Sequence, residues 1–259
     1  METFYRKKKN TQLNPLACIK IEKNNPLNHL SILPFYLLVI IDSIFMPALA
    51  SHLHFLNSED VVSIAQQLIG YIIQTKIDGL NCTAVITECE AYRAPEDRAS
   101  HAYNFKRSPK NDSMYASAGT VYMYICYGIH DMLNIVTGPL GLPHAVLIRS
   151  VQPITGIDHM LHRRGLPELK PELTSGPGNV SKSLGLTKSH NGLILNQSSV
   201  IKILSPRQPL SVPAATTRIG VESSGESALL PYRFVNLQSP FYSAKSQTKA
   251  YLNKLKGIQ

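Results

Sequence analysis

From about residue 58 onward, apolar and polar residues follow patterns that predict their own secondary structure. Ser58-Glu59-Asp60 precedes apolar residues at Val61, Val62, Ile64, Ala65, Leu68 and Ile69, and Gly70 closes the run. Helical spacing with a capping group before it and a glycine after it predicts an amphipathic helix. Residues 71–77, a turn at Asp78-Gly79, and residues 82–92 predict a β-hairpin. Residues 93–118 are polar and irregular, a loop too long to be idle in a compact domain. Residues 121–127, 133–136 and 145–151 read as strands, 154–162 as a helix, and Gly176-Pro177-Gly178 as the start of a second short helix through Ser183. Short strands at 200–204 and 232–235 complete the series. The predicted fold class is mixed α/β: one compact domain with a curved, largely antiparallel β-sheet flanked by short helices.

The domain is bounded at residues 46–245, with a basic tail at 246–259 and an unrelated extension at 1–45. That extension opens with Arg6-Lys7-Lys8-Lys9, and an apolar stretch at 30–50 follows. The basic cluster lies too far upstream for a signal peptide, and Pro34, Asp42 and Pro47 disfavour a membrane-spanning helix. The expected reading is an upstream extension, with translation starting at Met46. The net charge is +9, and residues 1–45 hold six basic and three acidic residues, so the remainder is basic in its own right. A basic domain suits an anionic partner such as nucleic acid. Cys18, Cys82, Cys89 and Cys126 show no CxxC spacing, so they are expected to be reduced thiols in a cytoplasmic protein, forming neither a disulfide frame nor a zinc site.

The candidate chemistry lies in one region. Six of twelve tyrosines (Tyr92, Tyr103, Tyr115, Tyr122, Tyr124 and Tyr127) fall between residues 92 and 127. Strand alternation places Glu88, Glu90 and Tyr92 on one face, with Val85, Cys89 and Ala91 on the core face. Tyr122 and Tyr124 share a face opposite Met123 and Ile125, while Tyr127 stands at a strand end, where its ring can project. Such rings either pack a sheet or stack on nucleobases. His101 lies on the long loop, Asn134 inside an apolar strand, and Arg149 within Val146-Leu147-Ile148-Arg149-Ser150-Val151. A buried arginine needs an anion, and Glu90 is the expected partner.

These residues carry a resemblance to the alkyladenine, or 3-methylpurine, DNA glycosylase family. The matching segments, in order, are Thr87-Glu88-Cys89-Glu90-Ala91-Tyr92, Pro95-Glu96-Asp97, His101, and Gly119 through Gly128. Leu133-Asn134-Ile135-Val136, Val146-Leu147-Ile148-Arg149, Gly176-Pro177-Gly178, Lys182-Ser183-Leu184-Gly185 and Arg218-Ile219-Gly220-Val221 continue the set. The resemblance implies a base-excision-repair enzyme that flips an alkylated purine, 3-methyladenine foremost, out of duplex DNA. It implies that Tyr127 intercalates, that Tyr92, His101 and Tyr124 sandwich the base, and that Asn134 obstructs a 2-amino group. Glu90 would activate water for attack on C1′, and Arg149 would orient that water. A monofunctional enzyme is implied, acting as a monomer without metal or organic cofactor and with no membrane partner. Lys106 and Lys110, on a basic loop, would meet phosphates rather than serve as an amine nucleophile.

Two other classes compete. A non-catalytic damaged-DNA-binding protein would use the same rings, but gains nothing from a carboxylate near DNA. An unrelated hydrolase could use Glu88 and Glu90 as an acid–base pair on another glycoside, since alternate residues of a strand lie roughly 6–7 Å apart.

Overall fold

The structure, a computed structural model, describes residues 50–206 and 212–257, so the extension at 1–45 lies outside the described residues. Asp60 accepts a hydrogen bond from the Ser63 amide at 3.0 Å and caps helix α1 (Val61–Leu68). Val61, Ile64, Ala65 and Leu68 form its buried face, as the helical spacing requires. Strand β1 (Ile72–Ile77) follows, then Asp78 and Gly79, both in the left-handed region with φ of 55° and 76°. Two such residues match the right-handed twist of a tight hairpin and return the chain as β2 (Leu80–Tyr92).

Six further strands complete one antiparallel sheet: β3 (Val121–Cys126), β4 (His130–Thr137), β5 (His144–Thr155), β6 (Ile201–Leu204), β7 (Ala214–Thr216) and β8 (Arg233–Val235). Their order is β3-β4-β5-β2-β1-β6. Strand β2 is long enough to serve two neighbours along one edge. Its first half pairs with β1 as far as Val85, and Glu88–Glu90 then pair with β8, which carries β7 on its far side. Helix α1 packs on β2, and α3 (Pro177–Leu184) packs on β4 and β5.

The helix expected over 154–162 begins later, as α2 (Ile157–Arg164). Strand β5 runs on to Thr155 because that residue pairs with Thr83, and Gly156 then makes the break. A Cβ at Gly156 would stand 2.2 Å from the Asn81 carbonyl oxygen, so only glycine allows this approach. In the basic C-terminal segment, residues Lys245–Leu255 form helix α4, whose Thr248 is buried. Among the described residues, no helix is long and apolar enough to cross a membrane.

One irregularity positions everything polar. Along β2 the core residues are Cys82, Ala84 and Ile86, then Cys89 and Ala91, so the buried phase changes parity. Along β5 they are Val146 and Ile148, then Val151. The register explains both changes. Ile86 faces Val151, Glu88 faces Ser150 and Cys89 faces Ile148, leaving Thr87 extra on β2 and Arg149 extra on β5. Two bulges, one per strand, therefore offset each other. The apolar face stays continuous, while Glu88 meets Arg149 and Ser150 away from it and the Thr87 hydroxyl donates to the Phe241 carbonyl. Uniform alternation placed Val85 on the core face. Val85 is instead only half-buried and lies outside the core, because the parity change falls just after it.

Replacing Asp60 with alanine should remove the α1 cap and lower stability by about 1 kcal/mol. Urea unfolding followed by circular dichroism would measure this, and an unchanged midpoint would show that the cap contributes nothing.

Candidate active site

Glu88 is fully buried and saturated with donors. It accepts from Arg149 Nε at 2.9 Å, Arg233 Nε at 2.7 Å, Ser150 Oγ at 2.7 Å, and the Ser243 amide and hydroxyl at 2.6 and 2.8 Å. A carboxylate offers about four lone-pair directions, so five donors occupy it entirely. Burial alone would raise its pKa. The charges of Arg149 and Arg233, with the Ser243 amide and the Ser150 hydroxyl, overcome that and hold it at about 2. A permanently ionised, fully engaged carboxylate cannot shuttle protons, which argues against Glu88 as half of an acid–base pair.

Glu90 is also buried but less committed. It accepts from the Tyr92 hydroxyl at 2.8 Å, the Ile219 amide at 2.7 Å and Arg149 Nη1 at 3.4 Å. Arg149 thus bridges both glutamates: Glu90 is a partner as expected, at 3.4 Å, and Glu88 stands closer, at 2.9 Å. The two carboxylates more than offset the effect of burial on Arg149 and raise its pKa, so it stays charged.

Tyr92 joins this polar cluster to a cavity. The cavity has a volume of about 180 Å³, and its lining includes Tyr92, His101, Tyr122, Tyr124, Cys126 and Asn134. His101 and Tyr124 meet edge to face with ring centroids 4.5 Å apart. A base stacked between them would need roughly twice the 3.5 Å contact distance. The two rings therefore form one wall together. Tyr122 is buried and shares a hydrogen bond with His101 Nδ1 at 2.9 Å, a second-rank ring that fixes the histidine. Burial, with a contribution from Lys106, lowers the His101 pKa and favours the neutral ring. Burial also raises the pKa of Tyr92, Tyr122 and Tyr124, so all three keep their hydroxyl protons. Asn134 Nδ2 donates to the carbonyls of Tyr122 and Met132 at 3.1 and 3.2 Å, which fixes its amide at the cavity wall.

Tyr127 follows Cys126 on the turn between β3 and β4, has a φ of 51°, and is 89% exposed. Ile129, two residues on, is exposed as well. A larger cavity, of about 530 Å³, lies between α2, α3 and this turn, with Arg163, Arg164 and Lys182 among its lining residues. It contains none of the tyrosines. Among the described residues, no group of three or more His, Cys, Asp and Glu side chains is placed to hold a metal ion.

Several groups that build the site carry no sequence pattern that marks their role. Arg218 lies with its guanidinium carbon 4.8 Å from the Tyr92 ring centroid and 5.4 Å from that of Tyr232. It pairs through both terminal nitrogens with Asp97 and donates to the carbonyls of Ala91 and Ser227, each at 2.9 Å. One face of Tyr92 is thus backed by a fixed cation. The next residues supply the Ile219 amide to Glu90, and Gly220 and Val221 to the cavity wall. Asn111 holds the histidine loop by donating to the carbonyls of His101 and Lys106 at 3.0 and 2.8 Å. In the sequence, Asp97 and Arg218 are motif members of opposite charge 121 residues apart, with nothing local to pair them.

Residues 54–240 match the family described as methylpurine-DNA glycosylase (MPG). The chain is 42% identical over 193 residues to a Chlamydia pneumoniae protein, spanning 74% of this chain and 96% of that relative. A Chlamydia felis protein is 42% identical over 183 residues, spanning 70% and 92% of the two chains. One from Bacillus cereus is 32% identical over 195 residues, spanning 72% and 95%. The names of all three assign them as 3-methyladenine DNA glycosylases. The fold and the match together define a DNA glycosylase, a hydrolase of N-glycosyl bonds with DNA as its partner. The chain belongs to the methylpurine-DNA glycosylase family.

The depressed pKa of Glu88 makes stability depend on acid in a defined window. The folded carboxyl binds its proton more weakly than the unfolded one does, so its contribution is complete above about pH 4.5 and disappears as pH falls toward 2. Urea unfolding at stepped pH should show stability dropping through that interval, whereas a flat profile would contradict the assignment.

Proposed function

We propose that this glycosylase extrudes an alkylated purine from duplex DNA and hydrolyses its N-glycosidic bond with a water activated by Glu90. The observation that carries the reading is the contact between Glu90 and Tyr92. The only glutamate with acceptor capacity left in the buried pair is bonded to a ring that lines an aromatic cavity. The names of the relatives favour 3-methyladenine as the base.

In this reading, Tyr92 forms one wall of the base pocket, and His101 with Tyr124 the other. An electron-poor alkylated ring gains by stacking on electron-rich faces. The amide of Asn134 discriminates against a 2-amino group. Tyr127, already displayed on a tight turn, enters the gap left by the extruded nucleotide and offsets part of the unstacking, which costs a few kcal/mol. Glu90 takes a proton from water as the water oxygen bonds to C1′. The glycosidic electron pair leaves with the purine, whose alkylation makes it a good leaving group. The Glu90 carboxylate also stabilises positive charge developing on the sugar, and Arg149 orients the water. No lysine lines the cavity among the described residues, in keeping with water rather than an amine as nucleophile. One exposed wedge beside one pocket suits a monomer.

Glu90→Gln should slow release of 3-methyladenine from methylated DNA by about 10²–10⁴-fold, while binding to lesion-containing duplex is retained. Chromatography of the freed base would measure the first effect, and gel shift the second. A Glu90→Gln enzyme that releases base at the wild-type rate would remove Glu90 from this role.

A further inference from the structure

Arg149 spreads its three nitrogens over three partners, with Nε also standing 3.4 Å from Glu90 Oε1. Nε reaches Glu88 at 2.9 Å, Nη1 reaches Glu90 at 3.4 Å, and Nη2 reaches the Ser243 hydroxyl at 3.2 Å. Both contacts to Glu90, at 3.4 Å, are longer than those to Glu88 and Ser243, so the plane of the guanidinium is set mainly by Glu88 and Ser243. Ser243 suits that task by its hydrogen-bond inventory, since a hydroxyl has one proton to give and lone pairs to receive. It gives its proton to Glu88 at 2.8 Å and receives from Arg149. Its backbone is engaged as well: the amide donates to Glu88 at 2.6 Å, and the carbonyl accepts from Arg233 Nη2 at 2.8 Å. Arg233 then donates to Thr248 Oγ1 at 3.0 Å, inside α4. Ser243 and α4 both lie beyond residue 240, where the match to the family ends.

We propose that Ser243 is a positioning residue for the reaction: with α4 anchored behind it, it fixes the orientation of Arg149 toward Glu90. Resting on the roles of Glu90 and Arg149 given above, it adds that the C-terminal segment completes the site. Without the hydroxyl, the guanidinium keeps its charge and its Glu88 contact but loses the restraint on its third nitrogen. Misplacements of about 1 Å can slow catalysis by up to about 100-fold. Binding of DNA depends on other surfaces and is untouched.

The test measures single-turnover release of 3-methyladenine alongside the Kd for lesion duplex, using full-length protein well below its unfolding temperature. Ser243→Ala should slow release by about 10–100-fold with Kd within about twofold, and Ser243→Thr, which keeps the hydroxyl, should restore most of the rate. Should the alanine variant not fold, Ser243→Cys keeps the shape with a much weaker hydrogen-bonding group, and it should also be slowed. Wild-type release by a folded Ser243→Ala or Ser243→Cys protein would overturn the proposal, as would a loss confined to Kd or to thermal stability. Glu90→Gln in the same assay separates the two readings. If it retains activity, the underlying mechanism fails. If it is inactive while Ser243→Ala is normal, only the positioning role fails.

Discussion

The site depends on one buried carboxylate. Glu88 sits at zero exposure between the guanidinium groups of Arg149 and Arg233, and it survives there because five donors replace the water it has lost. Burying a charge without such partners is prohibitive. With them, the ion becomes a fixed point from which the neighbouring groups take their positions. Arg149 reaches Glu90 from it, Arg233 reaches α4, and the chain after β8 is drawn back over the sheet. The two glutamates thus hold opposite offices although they lie two residues apart on one strand. Glu88 is spent on architecture, while Glu90 has fewer donors and keeps acceptor capacity free.

The pocket shows the same economy with rings. Tyr92 is backed by Arg218, His101 is braced by Tyr122, and Tyr124 leans on His101. Each ring at the cavity has a polar or aromatic support that keeps it from collapsing into the space. Order is therefore built before any substrate arrives, which lowers the entropy that binding must overcome. The tyrosine-rich stretch divides accordingly into walls (Tyr92 and Tyr124), a brace (Tyr122), a loop anchor (Tyr115, whose hydroxyl donates to the Lys106 carbonyl) and an exposed ring at the turn (Tyr127).

Much of this was legible in the sequence because alternation and capping act locally. The α1 cap and the Asp78-Gly79 hairpin follow from spacing, and the convergence of Tyr92, His101, Tyr124 and Asn134 was what the family resemblance implied. Three things were not legible, each for a physical reason. Periodicity has no sign for an extra residue within a strand, so the parity change after Ile86 and the misplacement of Val85 passed unseen. Charge partners are set by three-dimensional approach, so Glu90 was legible as a partner of Arg149 while the nearer Glu88 was not. Groups that act from behind the site, such as Arg218 and Ser243, look like any polar residue of a late loop until the fold brings them home.

The paired bulges at Thr87 and Arg149 have a bearing on how this chain can change over time. Because Thr87 is the extra residue, deleting it alone would return β2 to plain alternation with Cys89 and Ala91 still on the core face. It would, however, leave Arg149 extra on β5 with no counterpart and slide Glu90 and Tyr92 one position along β5. The same deletion matched by one in β5 would leave the ladder in phase, yet remove Arg149 itself or its neighbour. Strand length here is thus locked across two distant stretches of sequence. Substitutions can accumulate one at a time on these strands, but insertions and deletions are tolerable only as coordinated pairs.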